Sequence, residues 1–185
     1  MSLDAAYYTL RKLKVKRRTA QETNSIRFEA KPLSFKLKTR LTTEEERLKM
    51  AAVMLYWAEG YKIGKSTVDF ANSDSDMVLI FWKFLAEICG VDRSRVRLYL
   101  YAYEGQDVEK LMQYWCEILD LPRKHFTKPY IKKTAELQGS RGPRMIHGLV
   151  HIRYCDTKLL RQVLIWIDEY RRKCVDGRVV NCTAL

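Results

Sequence analysis

The segment from residue 43 to residue 60, TEEERLKMAAVMLYWAEG, constrains the fold more than any other part of the chain. Thr43 followed by Glu46 has the spacing of a capping box, so a helix is predicted to begin at this point. Every residue from Met50 to Ala58 is apolar or aromatic. Because a helix that is apolar all round is buried all round, we expect it to pack against two different surfaces.

Helical spacing divides these apolar residues into two stripes. The stripe expected to face the chain's own core consists of Leu48, Ala51, Ala52, Leu55 and Tyr56. The opposite stripe consists of Met50, Val53, Met54, Trp57 and Ala58. An apolar patch of this kind marks an interface when it is left in contact with water, so we predict that the opposite stripe joins two copies of the chain in a homodimer.

The segment ends in an acidic residue and a glycine. Gly60 is of the type that most often ends a helix by taking up the left-handed conformation. Glu59 precedes it, where the negative end of the helix dipole disfavours a carboxylate, and this position suggests another use for the acid. An apolar helix that closes with Ala58, Glu59 and Gly60 resembles the motif of the LAGLIDADG homing endonucleases, with Glu in place of Asp.

The resemblance implies a fold, an activity and a cofactor. The implied fold is an α+β unit with the order αββαββα, in which a mixed or antiparallel sheet packs on helices. Two motif helices meet at the centre of such a molecule, and the final acid of each binds a catalytic metal over DNA. The resemblance therefore makes Glu59 the catalytic residue and assigns Glu59 and Gly60 to a site for Mg²⁺ or another divalent cation.

The charge of the chain restricts its partners. The 185 residues carry a formal net charge of +12, and the pI is near 9.5. Such a charge indicates an anionic partner, either nucleic acid or an acidic membrane surface. No apolar run approaches the roughly 20 residues that span a bilayer, so we expect a cytoplasmic protein with no membrane partner. The five cysteines include no C-x-x-C pair, which argues against a disulfide framework and a zinc site.

The distribution of charge divides the chain into three parts. Residues 1–40 contain eleven lysines and arginines against three acidic residues, which accounts for +8 of the net charge. This basic N-terminal arm either neutralises DNA phosphates or is a solvated leader. Residues 34–41, at its end, alternate between apolar and basic positions as a strand with one wet face does. Residues 41–173 are predicted to form the LAGLIDADG-like DNA-binding domain. Residues 174–185 are left as a C-terminal tail.

The local patterns after the first helix predict further elements. Residues 61–71 are expected to form a hairpin around Gly64, with residues 67–71 as its second strand. A helix capped within residues 72–75 follows and ends at Gly90. The remaining elements are a strand at residues 95–103, an inserted helix at residues 108–118, an irregular stretch up to Pro143, a last strand at residues 147–154, and a final helix capped by Asp156 or Thr157.

Basic and aromatic side chains provide the candidate DNA-binding set. Along residues 95–103, apolar residues alternate with arginines and tyrosines, whose side chains can bond phosphates and base edges in the major groove. The alternative is an ordinary amphipathic strand. The full set consists of Lys62, Lys65, Arg95, Arg97, Tyr99, Tyr101, Lys132, Lys133, Arg141, Arg144, His151 and Arg153.

These observations lead to three function classes. The first is a site-specific endonuclease that hydrolyses double-stranded DNA with Mg²⁺ as a homodimer. The second is a DNA-binding transcriptional regulator that resembles the same family but has lost cleavage. The third is an RNA-binding, maturase-like splicing accessory. The sequence contains no Gly-rich phosphate loop and no Ser/His/Asp arrangement that would indicate another class of enzyme.

Overall fold

The computed structural model of the chain describes residues 32–63, 66–133 and 145–176. The described helices and strands all belong to the compact unit Ser34–Leu185. In chain order these elements are α1 (Thr43–Glu59), β1 (Thr67–Asn72), α2 (Ser75–Lys83), β2 (Arg97–Tyr103), α3 (Val108–Leu119), β3 (Tyr130–Lys132), β4 (Leu149–Cys155) and α4 (Thr157–Arg171).

The four strands form one mixed sheet in the order β1-β4-β2-β3. Strand β4 runs antiparallel to β1 and β2, and β3 runs parallel to β2. One face of the sheet is apolar and is buried against residues of all four helices in a single core. The strand residues of that core are Val68, Phe70, Leu98, Leu100, Ala102, Val150, Ile152 and Tyr154. The predicted α+β class and the packing of a mixed sheet on helices are confirmed.

Helix α1 begins one residue earlier than the predicted capping box. The cap is Thr42, whose side chain accepts from the Glu45 N–H at 3.3 Å, while the Glu45 carboxylate accepts from the Thr42 N–H at 3.0 Å. Two adjacent threonines are each followed by a glutamate three residues later, so the sequence fits a capping box that begins at either threonine. Glu45 also forms an ion pair with Lys38.

Helix α1 is also rotated relative to the predicted stripes. Ala52, Val53 and Tyr56 are fully buried, whereas Ala51 is exposed. The assignment of Val53 to the outward stripe and of Ala51 to the core stripe was therefore wrong. A segment that is apolar all round carries no polar side to fix its rotation, so the rotation is decided by packing against the other elements.

Gly60 does not take up the predicted left-handed conformation. Its backbone is extended, at φ −73° and ψ 149°, and its N–H donates to the Tyr56 carbonyl at 2.8 Å. A Cβ at this position would lie 2.5 Å from the Tyr56 ring, so a close approach, and not a positive φ, requires the glycine. Gly60 forms an antiparallel bridge with Phe70 of β1. The second strand of the predicted hairpin is confirmed as β1, whereas residues 61–63 belong to no strand.

The predicted strand at residues 34–41 joins no strand of the sheet. Its extended backbone forms one antiparallel bridge, between Phe35 and Val91, and Lys36 N–H donates to Gly90 O at 3.1 Å. Phe35 is buried, as the alternation predicts. The alternation correctly identified a buried side, but this segment lies along residues 88–91, which follow α2, and not in a ladder.

The remaining elements agree with the sequence in type and differ in extent. Helix α2 is capped by Asp74 and continues as a π-helical turn, Phe84–Ile88. Asp156 is the cap of α4, which continues as a second π-helical turn, Arg172–Asp176, beyond the predicted start of the tail. The helix predicted at residues 108–118 is confirmed as α3. Strand β3 lies in a stretch predicted to be irregular, because three residues are too few to display a period.

Some predictions concern residues outside the described ranges. They are Gly64, Lys65, Arg141, Arg144, residues 1–31 of the arm and residues 177–185 of the tail. Within the described ranges, no helix has both the length and the apolar character needed to cross a bilayer.

Candidate functional site

The candidate site lies on the face of the sheet opposite the core, which we call the outer face. It carries the side chains that alternate with the buried ones: Asp69, Tyr99, Tyr101, Tyr130, His151 and Arg153. The strand pairing brings β4 between β1 and β2, so side chains that are distant in sequence become neighbours. Asp69 is opposite Arg153, and His151 is opposite Tyr99.

Asp69 is the centre of a charged cluster on the outer face. Its Oδ1 accepts a hydrogen bond from His151 Nδ1 at 2.8 Å, and its Oδ2 accepts one from Arg153 Nε at 2.6 Å. The guanidinium of Arg153 lies over the Tyr99 ring, 4.0 Å from the ring centroid. A buried carboxylate needs such partners, because an unpaired charge would be costly away from water.

The cluster reinforces the charge of Arg153, whose guanidinium is protonated at any physiological pH. Partial burial alone would lower the pKa of its guanidinium, but the Asp69 carboxylate and the contact with Tyr99 outweigh burial and raise the pKa above the ordinary value. The group is therefore a permanent cation with fixed surroundings.

Aromatic rings extend the cluster toward β3. The Tyr101 ring lies 4.8 Å from the His151 ring and 5.2 Å from the Tyr130 ring, measured between centroids. A shallow groove of about 390 Å³ opens on the other side, next to β1. Its lining is Tyr61, Ser66, Thr67, Asp69, Tyr99, Arg153 and Cys155. The outer face is thus a surface of arginine, histidine and tyrosine with a recess along one edge.

Of the predicted DNA-binding residues, Tyr99, Tyr101, His151 and Arg153 are brought together on the outer face. Arg97 also lies on β2, but its Nη1 donates to the Ser94 and Val96 carbonyls at 2.7 and 2.8 Å. Its guanidinium is therefore committed to the backbone at the start of its own strand.

Two further predicted residues are committed to structural contacts. Arg95 lies in a 3₁₀ turn before β2 and not on the strand, and its Nη2 donates to the Cys155 carbonyl at 2.8 Å. Lys62 Nζ donates to the Trp57 and Gly60 carbonyls at 2.8 and 3.0 Å. An ammonium at this position satisfies carbonyls at the negative end of α1, which is a stabilising arrangement.

Lys132 and Lys133 lie at the end of β3 and just after it, and not in the predicted loop. Lys132 is half-buried and is paired in register with Tyr103, whereas Lys133 is exposed. Neither forms an ion pair with a residue in the described part of the chain. Both are free to contribute positive charge beside β2.

Glu59 is the last residue of α1 and is exposed. Its carboxylate makes no hydrogen bond or ion pair with any residue that the structure describes. The carbonyl of Gly60, its predicted companion in a metal site, accepts from Lys62 Nζ, so a cation at that oxygen would have to displace the ammonium. Across residues 32–63, 66–133 and 145–176, no three His, Cys, Asp or Glu side chains cluster as a metal site would require.

A stripe of exposed apolar residues runs along α1 toward Glu59. Met50 is 50% exposed and Trp57 is 39% exposed. We call this set, with the neighbours on the same side of the helix, the α1 stripe: Met50, Ala51, Met54, Trp57 and Ala58. It retains four of the five residues that the sequence assigned to the dimer interface.

The sequence did not point to Asp69. An aspartate between Val68 and Phe70 has no charged neighbour in the sequence, and its partners are more than 80 positions away. The sequence holds no local signal for this role, since an acid at the wet position of a strand is ordinarily solvated and needs no partner.

No family model, curated protein or solved structure matches the chain.

Proposed function

We propose that this protein binds duplex DNA with the outer face of its sheet. The observation that carries the proposal is the cluster of four half-buried side chains, Arg153, His151, Tyr99 and Tyr101, on the outer face of a strand pair, in a chain of net charge +12. Strands that present such side chains can lie in the major groove, where hydrogen-bond donors and acceptors of every base pair are accessible.

The order of the elements supports a LAGLIDADG-like unit as the fold of this domain. The order up to β2 is a helix, a bridge, a strand, a helix and a strand. The strand β4 and the helix α4 come last in the order of elements. The bridge between Gly60 and Phe70 corresponds to the first strand of the αββαββα plan. Helix α3 and strand β3 are then an insertion between the last two strands.

The α1 stripe supports a homodimer as the working form. One chain contains a single motif helix, and that helix leaves an apolar stripe exposed at the end that carries Glu59. A two-fold axis beside the stripe would bury Met50 and Trp57 against their copies. Two outer faces related by this axis would meet a pseudo-palindromic DNA site.

The exposed carboxylate of Glu59 supports hydrolysis of the bound DNA. One chain offers a divalent cation a single free carboxylate there, whereas the dimer offers two. Mg²⁺ accepts as few as one or two protein carboxylates and completes its shell with water and phosphate oxygens, so a pair of Glu59 side chains fits this ion. When bound, the ion supplies Lewis acid chemistry for phosphodiester hydrolysis. A regulator without cleavage is the alternative that shares the same DNA-binding surface.

The outer face favours duplex DNA over RNA. The major groove of an RNA helix is too deep and narrow for side chains to read, and single strands are bound mainly by bases that stack on free aromatic faces. In this cluster the Tyr99 ring is covered by Arg153, and Tyr101 lies between His151 and Tyr130. The maturase-like function is therefore the weaker alternative.

Competition binding tests the proposal. The full chain is titrated with a labelled random-sequence DNA duplex in the presence of unlabelled duplex DNA, single-stranded DNA or duplex RNA, and nicking is followed with and without Mg²⁺. We expect duplex DNA to compete best and Mg²⁺ to be required for nicking. Tight binding without nicking would favour the regulator, and better competition by RNA would contradict the proposal.

A further inference from the structure

Asp69 is the only acidic side chain among the described residues of the outer face, and just 8% of its surface is exposed. It cancels one positive charge on a face that we propose meets phosphates. If Arg153 served only to attract phosphates, this ion pair would weaken it, because a paired charge contributes little to counterion release. The pairing therefore calls for another explanation of Arg153.

The contact with Asp69 fixes the direction of Arg153. Asp69 accepts from the Nε–H alone, which leaves the terminal amino groups Nη1 and Nη2 outside the ion pair. The Tyr99 ring, 4.0 Å from the guanidinium carbon, limits its movement on the other side. Two donors of fixed direction match the O6 and N7 acceptors of guanine, the most common specific contact of arginine with DNA.

The contact with Asp69 also fixes the hydrogen-bonding character of His151. A carboxylate only accepts, so Nδ1 carries a proton, and in the neutral ring Nε2 is then the acceptor. Within the described ranges, every buried side-chain nitrogen and oxygen has a hydrogen-bond partner. Nδ1 makes the one hydrogen bond of this ring, so Nε2 is not among the buried atoms and is open to solvent. An acceptor at this position matches the exocyclic amino group of cytosine or adenine.

We propose that Asp69 is a positioning residue for base recognition: it presents Arg153 to a guanine and Nε2 of His151 to the amino group of a cytosine or an adenine. This proposal rests on the proposed function and adds to it the bases that are read. Arg153 and His151 are two positions apart on one face of β4, which corresponds to about 7 Å along a strand. Since base pairs are spaced by about 3.4 Å, the two bases lie within about two base pairs of each other.

Selection from a random-sequence duplex library tests the proposal on the full wild-type chain. We expect the selected duplexes to share a guanine with a cytosine or adenine within two base pairs. Replacing that guanine by 7-deazaguanine, which lacks N7, should lower the affinity roughly ten- to hundredfold. Replacing the neighbouring base by its analogue without the exocyclic amino group should lower the affinity as well, and the two analogues distinguish cytosine from adenine.

Substitutions then connect the effect to the residues. Arg153→Ala should bind the guanine and 7-deazaguanine duplexes equally. Asp69→Asn should lose most of the discrimination while its affinity for a mixed-sequence duplex stays constant or rises, because the face becomes more positive by one unit. If Asp69 had a merely structural role, Asp69→Asn would lower the affinity for the selected duplex and for the mixed-sequence duplex alike. Asp76→Asn, at an exposed position in the first turn of α2, is the charge-matched control and should keep the discrimination.

Equal affinity of the wild-type chain for the guanine and 7-deazaguanine duplexes would overturn this inference and leave the proposed function intact. Full discrimination in Asp69→Asn would overturn it too. If the chain bound no duplex at all, the proposed function itself would fall. Should Asp69→Asn not fold, equal binding of the two duplexes by the wild-type chain, or discrimination retained by Arg153→Ala, would still overturn the inference.

Discussion

Tyr56 connects the end of α1 to the sheet. Its side chain is fully buried, its ring stacks on Phe81 with centroids 5.5 Å apart, and its hydroxyl donates to the Tyr61 carbonyl at 3.0 Å. Gly60 passes against this ring where no side chain would fit. The path of the chain from Glu59 to the groove beside β1 therefore depends on contacts of Tyr56.

Burial raises the pKa of the Tyr56 hydroxyl to about 12. The neutral form is favoured in the folded chain, so its stabilising effect is complete below the ordinary pKa of about 10 and is lost as the pH rises toward 12. We expect the free energy of unfolding to fall through this range in urea titrations. The fall should be smaller in Tyr56→Phe, and an identical fall in both proteins would contradict the assignment.

Glu59→Gln keeps the shape of the side chain and removes its charge. Because a neutral amide binds Mg²⁺ poorly, the variant should lose nicking activity. Its affinity for duplex DNA should stay the same or rise, since a negative charge near phosphates is removed. Single-turnover nicking and duplex titration measure the two effects, with Glu44→Gln at the exposed start of α1 as a control. Nicking at the wild-type rate would rule out the role of Glu59.

The residues of the candidate site differ in how far the sequence could identify them. Tyr99 and Tyr101 follow from strict alternation along β2, and His151 and Arg153 follow from the same pattern along β4. Asp69 could not be identified, because its role depends on the pairing of β1 with β4, which no local pattern encodes. Alternation predicts the face of a strand but not its neighbour in the sheet.

At the scale of elements, the helix starts are set by side-chain caps, whose residue types can be recognised in the sequence. Thr42, Asp74, Asp107 and Asp156 each accept hydrogen bonds from the first turn of the helix that follows. Longer strands and helices were predictable from their periods. The rotation of α1 and the short β3 were not, because the first has apolar residues on all sides and the second has only three residues.

The cap of α1 provides a matched pair of substitutions. Thr42→Ala removes the hydroxyl that accepts from the Glu45 N–H and should lower the free energy of unfolding by about 1 kcal/mol. Thr43→Ala, one position inside the helix, should change it by less than about 0.5 kcal/mol, because alanine is favoured within helices. Urea unfolding followed by circular dichroism measures both. A larger loss of unfolding free energy in Thr43→Ala than in Thr42→Ala would contradict this assignment and indicate a capping box that begins at Thr43.

At the scale of the whole molecule, two surface features have no partner within the described residues of one chain: the apolar α1 stripe and the basic, aromatic outer face. The first suits a second copy of the chain, and the second suits a polyanion. A dimer would double the positive surface offered to DNA, so self-association and binding are expected to be coupled.

Met50→Asp tests the dimer. Met50 is 50% exposed on the α1 stripe, and Ile165 is 51% exposed on α4, so Ile165→Asp is a control of equal exposure and charge. A carboxylate buried in the dimer interface would be unpaired and costly, and we expect Met50→Asp to be monomeric at micromolar concentration. Light scattering after gel filtration gives the mass. A monomeric wild-type chain, with or without DNA, would contradict the dimer.

The most direct test of the central claim, that the outer face binds duplex DNA, compares a negative charge placed on that face with one placed elsewhere. Tyr101→Glu and Ile165→Glu lower the net charge equally, and the affinity of each for a mixed-sequence duplex is measured by fluorescence anisotropy over a range of salt concentrations. We expect Tyr101→Glu to bind at least tenfold more weakly than Ile165→Glu, with a lower salt slope, because its carboxylate repels phosphates at the interface. Equal affinities for the two folded variants would contradict the account.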